Sequence, residues 1–274
     1  MNILFWNTGR NNVDDCLLEM IIENDLDLLV LAEYAGDINI LCKQLNNLQS
    51  KQYNVILNHG GCTRIHGLVC SEYIMSLLKE ETHFQLLSIR SHKHKYELIV
   101  AMIHARSKLR TKDRTQEMGI RKFYGEIATQ EQVKGTNQTL AIGDFNINPF
   151  DDMCIAATAM HAIPFRDAVL KDKRTVFEEP YRKFYNPTWR LFGKTDAPYT
   201  TYYYNDSGED VNFYWYAYDQ VIIRPSLIKA FNEEDLKIIT STTSHYLLNN
   251  NKIPDKINYS DHLPLFCSLK EDLI

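Results

Sequence analysis

Short apolar runs that finish on one polar side chain recur along this chain, and the stretches between them repeat their apolar positions at helical spacing. Residues 2–7 read as a strand ending on Asn7, and residues 27–33 as a second strand delivering Glu33. Residues 97–104 deliver His104, and residues 139–144 run into Asp144 with Asn146 two positions on. A helix capped by Asn12 carries Val13, Leu17, Met20 and Ile21 on one face. Ile38, Leu41, Leu45 and Leu48 predict a second, and Ile120, Tyr124 and Ile127 predict a long one over residues 115–133. Further strands are expected at residues 53–58, 67–71 and 84–89. After Asn148 the pattern predicts a helix over residues 149–160, then a loop-rich connection over 163–196. Residues 199–205 and 211–216 flank the turn-rich Asp206-Ser207-Gly208-Glu209-Asp210 and predict an aromatic hairpin.

In the last two strands the polarity reverses: Asp219 precedes Gln220-Val221-Ile222-Ile223, and Asp261-His262 precede residues 263–267. Four strands leave with a chemically useful side chain and two enter with one. If the two sets run antiparallel, Asn7, Glu33, His104, Asp144, Asp219 and His262 share one rim. Each has a plainer reading, since Gly-Asp and Asn are ordinary turn chemistry. A charge at the mouth of a buried strand nevertheless costs desolvation unless a metal, a hydrogen bond or an ion pair compensates it. Carboxylate and carboxamide oxygens suit Mg²⁺ or Mn²⁺, and histidine supplies protons near neutral pH, so the set describes a site for a divalent metal and phosphate.

The 274 residues, 45% hydrophobic and 24% charged, suffice for a large core and are expected to form one domain. A formal net charge of −5 excludes gripping polyanions by bulk charge and leaves room for a local basic patch. The six cysteines form no CxxC pair, which implies reduced thiols and a cytoplasmic setting; no apolar stretch approaches a membrane span.

The ordered set Phe5-Trp6-Asn7, Leu31-Ala32-Glu33, Ile103-His104, Gly143-Asp144-Phe145-Asn146, Tyr218-Asp219-Gln220-Val221 and Ser260-Asp261-His262-Leu263-Pro264 resembles the endonuclease/exonuclease/phosphatase superfamily, in its deoxyribonuclease-like form. The resemblance implies a four-layer α/β sandwich: two mainly antiparallel sheets face to face, helices outside. It implies a divalent metal, Mg²⁺ or Mn²⁺, held by Glu33 and Asn7 with Asp261. It also implies an Asp219–His262 pair, Asp144 and Asn146 orienting water or phosphate, and His104 assisting the leaving group. Either His262 or Asp144 takes the water's proton. The usual carboxylate partner of the second histidine has no match here.

The implied activity is phosphodiester hydrolysis of DNA or RNA. A phosphomonoesterase or lipid phosphodiesterase, of inositol-phosphate or sphingomyelin type, and a catalytically silent binding module are the alternatives. Asn148 stands where the inositol branch typically carries arginine. Arg64 and His66 fall in a region the family uses near phosphate. Arg106, Lys108, Arg110, Lys112, Arg114, Arg121 and Lys122 form either a flank that tracks a phosphate backbone or a solvated helix face. Trp189 either belongs to a substrate-reading loop or anchors that loop. Seven of the sixteen tyrosines lie between Tyr199 and Tyr218, packing on the core with a ring or two reaching substrate.

Overall fold

The computed structural model describes residues 1–107, 113–205, 208 and 210–274. Lys108, Arg110 and Lys112 of the basic flank, and Asp206, Ser207 and Glu209 of the expected turn, lie outside them.

The chain opens with β1 (Asn2–Asn7), α1 (Asp14–Glu23), β2 (Leu28–Ala32), α2 (Ile38–Leu48), β3 (Tyr53–Val55) and β4 (Ile65–Cys70). It continues through β5 (Tyr73–Glu81), β6 (Phe84–Ser91), β7 (Glu97–His104), α3 (Asp113–Lys134) and β8 (Thr139–Asp144). Then come α4 (Asp152–Ile155), β9 (Ala162–Ile163), α5 (Arg166–Val169), β10 (Lys173–Val176), β11 (Glu179–Arg182) and β12 (Phe184–Tyr185). The last strands are β13 (Tyr202–Tyr203), β14 (Trp215–Tyr216), β15 (Asp219–Ile223), β16 (Lys237–Ile238) and β17 (Leu265–Ser268). One sheet has six strands in the order β16-β17-β1-β2-β4-β3; the other has seven, β5-β6-β7-β8-β15-β12-β9. Most neighbours are antiparallel, but β1 runs parallel to β2, β7 to β8 and β9 to β12.

Central strands are apolar on both sides because both sides are covered. Val100, Met102, Leu140, Ile142, Val221 and Ile223 join Ile3, Phe5, Leu29 and Leu31 in one core between the sheets. Their alternates Ala101, Ile103, Ala141 and Ile222 join Ile120, Phe123 and Ile127 of α3 in a second. Leu17, Met20, Leu41 and Leu45 bring α1 and α2 into the first core. These are the face-to-face sheets and outer helices of an α/β sandwich.

Local expectations differ in several places. Val13 rather than Asn12 is the N-cap residue of α1, although Asn12 Oδ1 accepts from the Asp14 N–H at 3.3 Å. Leu48 is 61% exposed at the end of α2, and α3 buries Phe123 in addition to Ile120 and Ile127, with Tyr124 half-buried against the same core. Strand β5 was not foreseen: it is an edge strand, buried fully only at Tyr73, whose apolar positions Ile74, Met75, Leu77 and Leu78 run straight into the charged Lys79-Glu80-Glu81. The helix expected over 149–160 is a single turn, α4, because Ala159 and Met160 fold into the core under α3. The loop-rich stretch contains the β10–β11 ribbon, and the aromatic hairpin is present as β13 paired with β14. Among the described residues no helix is long and apolar enough to cross a membrane, and all six cysteines are buried and free.

Candidate active site

Register brings the polar strand ends to one place. His104 lies opposite Asp144 across the parallel β7–β8 pair, and Asp219 lies opposite Asp144 across the antiparallel β8–β15 pair. In the other sheet Asn7 is level with Ala32, the residue before Glu33. The loop leading to β17 is tied to β1 by two buried bonds: Ser260 Oγ donates to the Asn7 carbonyl at 2.7 Å, and Trp6 Nε1 donates to the His262 carbonyl at 2.9 Å. The polar ends of both sheets therefore face one cleft of about 590 Å³, whose lining includes Asn7, Glu33, His104, Asp144, Asn146, Asp261 and His262. Asp219 sits behind His262, fully buried.

The backbone here is shaped for close approach. At Gly143, φ is +149° and a β-carbon would stand 1.9 Å from the Ile103 carbonyl oxygen, so only glycine lets β8 reach Asp144 alongside β7. Glu33 and Asn146 adopt left-handed conformations, φ 50° and 51°. Asparagine tolerates that region; for glutamate it costs on the order of 1 kcal/mol, strain of the kind that collects at functional sites.

The side chains form a connected set. Asn7 Nδ2 donates to Asp144 Oδ2 at 3.1 Å, Asp144 Oδ1 accepts from the Asn146 N–H at 2.9 Å, and Asn146 Nδ2 donates to the Ala105 carbonyl at 3.1 Å. His104 Nε2 lies 3.5 Å from Glu33 Oε1 and 3.9 Å from Asp144 Oδ2. Arg10 Nε meets Glu33 Oε2 at 3.1 Å. His262 Nδ1 is 2.8 Å from Asp219 Oδ2, which leaves Nε2 as the ring's other proton-bearing position. Asp219 Oδ1, His104 Nδ1 and, farther off, Trp189 Nε1 are buried with no partner among the described residues.

Electrostatics separate the roles. Burial pushes the Asp144 carboxyl up to about 7, with Asp219 adding to the rise and His262 opposing it. Burial alone would depress His262; the charge and hydrogen bond of Asp219, then Asp144 and Asp261, outweigh it and push the imidazole up to about 10. His104 goes the other way: burial pulls it down to about 4 despite Glu33, so it is neutral at physiological pH.

Among the four residues expected to touch substrate, Arg64 and Arg106 line the cleft. His66 and Trp189 are not among its lining residues. His66 is half-buried with its ring edge-on to Tyr34, and Trp189 packs on Phe150 and Phe192 in an aromatic cluster, which corresponds to the anchoring role. Of the basic flank, Arg121 pairs with Glu117 and Lys122 with Glu81, as on a solvated helix face. Sequence reasoning missed Arg10 and His83, both in the cleft lining, and the side on which Tyr202, Tyr204, Tyr216 and Tyr218 lie. Arg10 follows Gly9 in a tight turn, a weak signal; His83 had none.

No protein-family model matches the sequence, and no curated protein matches it. Solved structures do match it in shape. D. rerio TDP2 complexed with single-strand DNA product has a TM-score of 0.55 at 14% identity over 98% of each chain. The 3' phosphatase NExo from Neisseria, bound to a product DNA hairpin, has a TM-score of 0.57 at 12% identity, covering 98% of this chain and 99% of that one. An endonuclease/exonuclease/phosphatase family protein from Bacteroides thetaiotaomicron has a TM-score of 0.56 at 13% identity, covering 98% and 97%. This chain has the endonuclease/exonuclease/phosphatase fold. At these identities the likeness is one of fold.

Proposed function

We propose that this chain is a divalent-metal-dependent phosphodiesterase that hydrolyses DNA or RNA, with residues 1–274 acting as one catalytic domain. The observation that carries the reading is the meeting, on one cleft, of Asn7 and Glu33 from one sheet with His104 and Asp144 from the other and the Asp219–His262 pair. The neighbours of the same fold that are bound to DNA support a nucleic-acid substrate. Six buried free thiols support a reducing compartment such as the cytoplasm.

The donor set fits a hard divalent cation. Glu33, Asp144, Asp219 and Asp261 crowd one site, Asp144 is pushed up to about 7 by burial, and Asp219 Oδ1 is buried without a partner, all signs of negative charge short of compensation. Glu33, Asn7 and Asp261 would hold Mg²⁺ or Mn²⁺ through oxygen. Asp144, Asp219 and His262 also have donor atoms within 4.8 Å of one another, but His262 Nδ1 and Asp219 Oδ2 are already bonded to each other, so we assign that group to proton handling. When bound, the ion supplies charge neutralisation at the phosphate.

The chain's own residues divide the remaining work. Asp144, pushed up to about 7, accepts the proton of the attacking water as its oxygen bonds to phosphorus and the opposite P–O bond breaks, the proton passing on through water to the departing oxygen; Asn146 holds the carboxylate in place through the backbone N–H. His262, kept as an imidazolium by Asp219, donates from Nε2 to a phosphate oxygen. His104, neutral, steadies the Glu33 carboxylate.

The test is hydrolysis by purified protein with Mg²⁺ or Mn²⁺ of single- and double-stranded DNA, RNA, an inositol phosphate and a sphingolipid, with Asp144→Ala and His262→Ala as blanks. Metal-dependent cleavage of a nucleic acid, lost in both blanks, is the expected result. Cleavage of the inositol phosphate or the lipid alone overturns the assignment.

A further inference from the structure

One wall of the cleft is a run of tyrosines. Antiparallel pairing sets Tyr202 opposite Tyr216 and Tyr203 opposite Trp215, so the hairpin's alternation sorts its rings onto two faces. Tyr203 and Trp215 pack inward, in edge contact with each other and with the core. Tyr202, Tyr204, Tyr216 and Tyr218 all line the cleft instead. Packing explains the first face. The second face sets four half-buried rings against an acidic and cationic site.

The second face is terraced. Tyr202 and Tyr204 are nearly parallel, at 7° with centroids 6.4 Å apart, and Tyr202 and Tyr218 stack at 27° and 5.3 Å. Tyr216 continues the run against Tyr218 at 5.2 Å. The terrace adjoins the proton-handling pair directly: the Tyr202 ring centroid is 4.5 Å from that of His262, and the Leu263 N–H donates to the Thr201 carbonyl at 2.7 Å. At the other end of the contact chain, Arg10 meets Glu33, Glu33 meets His104, and the exposed Arg64 and Arg106 line the same cleft. A path through the site thus runs from arginines, past Glu33, His104 and Asp144, to His262 and the tyrosines.

Resting on the phosphodiesterase reading above, we propose that the cleft takes a single, unpaired nucleic-acid strand, with backbone phosphates on the Arg10, Arg64 and Arg106 side and bases stacked on Tyr202, Tyr204, Tyr216 and Tyr218. Base faces are available for stacking only when a strand is unpaired, whereas arginines alone would serve a duplex equally well. Tyr204 and Tyr218 each lie within 27° of the Tyr202 plane and Tyr216 tilts 36° from Tyr218, a stepped run unlike the box of rings that surrounds a quaternary ammonium headgroup. Burial raises the Tyr202 and Tyr218 phenols, so these rings stay neutral beside a polyanion.

The experiment reads binding apart from turnover. Fluorescence anisotropy with EDTA present measures the affinity of the whole protein for a labelled single strand, the matching duplex, and a single strand of abasic sugar-phosphate. The single strand binds at least tenfold tighter than either of the others. Tyr204→Ala and Tyr218→Ala each weaken it roughly five- to hundredfold, the range of one lost base stack. They leave duplex and abasic binding unchanged, and Tyr204→Phe and Tyr218→Phe, which keep the ring, bind as the parent does. Equal affinity for normal and abasic strands, alanine variants that bind the normal strand as the parent does, or displacement of the strand by phosphocholine overturns the proposal. If the strand binds through the tyrosines but no Mg²⁺- or Mn²⁺-dependent cleavage occurs, the catalytic reading fails and the single-strand proposal stands. Cleavage insensitive to the tyrosines has the opposite consequence: catalysis stands and the single-strand proposal fails.

Discussion

Replacing Asp219 with asparagine keeps the volume of a fully buried side chain and removes its charge. The carboxylate sits 2.8 Å from His262 Nδ1. His262, itself buried, is drawn down by that burial and pushed up to about 10 chiefly by Asp219. Without the carboxylate, burial prevails and the imidazole returns toward or below its ordinary value of about 6.5. At a pH of about 7.5 the parent ring is then charged and the variant's is neutral. The asparagine NH₂ can also donate to Nδ1, which moves the ring proton to Nε2 in a neutral tautomer with no positive charge to offer the phosphate. A positioned donor to charge developing on the phosphate contributes roughly a hundred- to a thousandfold, so kcat for a labelled single strand falls by about that much with little change in KM.

The pH profile gives the sharper reading. As pH falls toward 5.5 the variant's His262 regains its proton, so the ratio of variant to parent rate climbs. Stability follows the same linkage: a pKa raised in the folded state contributes stability that is complete below about 6.5 and lost as pH rises through about 10. Urea midpoints of parent and variant should therefore converge over that window. An Asp219→Asn enzyme within tenfold of the parent at neutral pH, with an unaltered profile, would refute the assignment of His262 as the charged phosphate contact.

Three other perturbations are separable from it. Glu33→Gln should abolish the rise in Tm that saturating Mg²⁺ or Mn²⁺ gives the parent, a stabilisation of about 2.7 kcal/mol at a hundred times Kd; an undiminished rise would remove Glu33 from the ligand set. Glu131→Ala leaves the fully buried Arg224 without its carboxylate and should cost about 3–5 kcal/mol, a drop of roughly 6–20 °C in Tm by calorimetry, with kcat at low temperature preserved. His161 is buried with Nδ1 at 3.1 Å from the Arg182 carbonyl, and burial pulls it down to about 4. Protonation therefore favours the unfolded chain as pH falls from about 6.5 to 4, at most about 3 kcal/mol, and urea titrations of His161→Asn should show that slope reduced.

Where a strand is long and central, the sequence was enough to find it: the runs ending on Asn7, His104 and Asp144 match β1, β7 and β8 to the residue at that end. The sandwich and the common rim followed from strand polarity, because an apolar run that stops on a polar residue is a local signal. What escaped depends on contacts distant in sequence. The two-residue strands β9 and β12 carry no periodicity, and β5 looks like surface because one of its edges is surface. Trp189 could be assigned to the anchor only once Phe150 and Phe192 were seen against it. The composition betrayed the tyrosine cluster, but which alternate rings face the cleft depends on the register of β13 with β14, which a turn of unknown geometry sets.

The two ends of β8 and β15 show why the cleft reads as a place for something to bind. At the far end a buried carboxylate, Glu131, is answered in full: Thr139 Oγ1 donates at 2.6 Å, Arg224 at 2.7 and 3.0 Å, and Arg182 at 3.0 Å. Arg224 in turn lies over the Phe184 ring and donates to the Lys183 carbonyl. That clamp has ample donors for its charge, as stability requires. Arginines could have closed the near end of the same strands in the same way. Instead the near end gathers Asp144 and Asp219 around one charged histidine, leaves Asp219 Oδ1 unpartnered among the described residues, and holds Glu33, which Arg10 meets at 3.1 Å, in a strained conformation. Charge left uncompensated on one end of a pair of strands, and compensated with care on the other, is retained against stability, and a bound cation with a phosphate is the partner whose charge and oxygen chemistry would settle it.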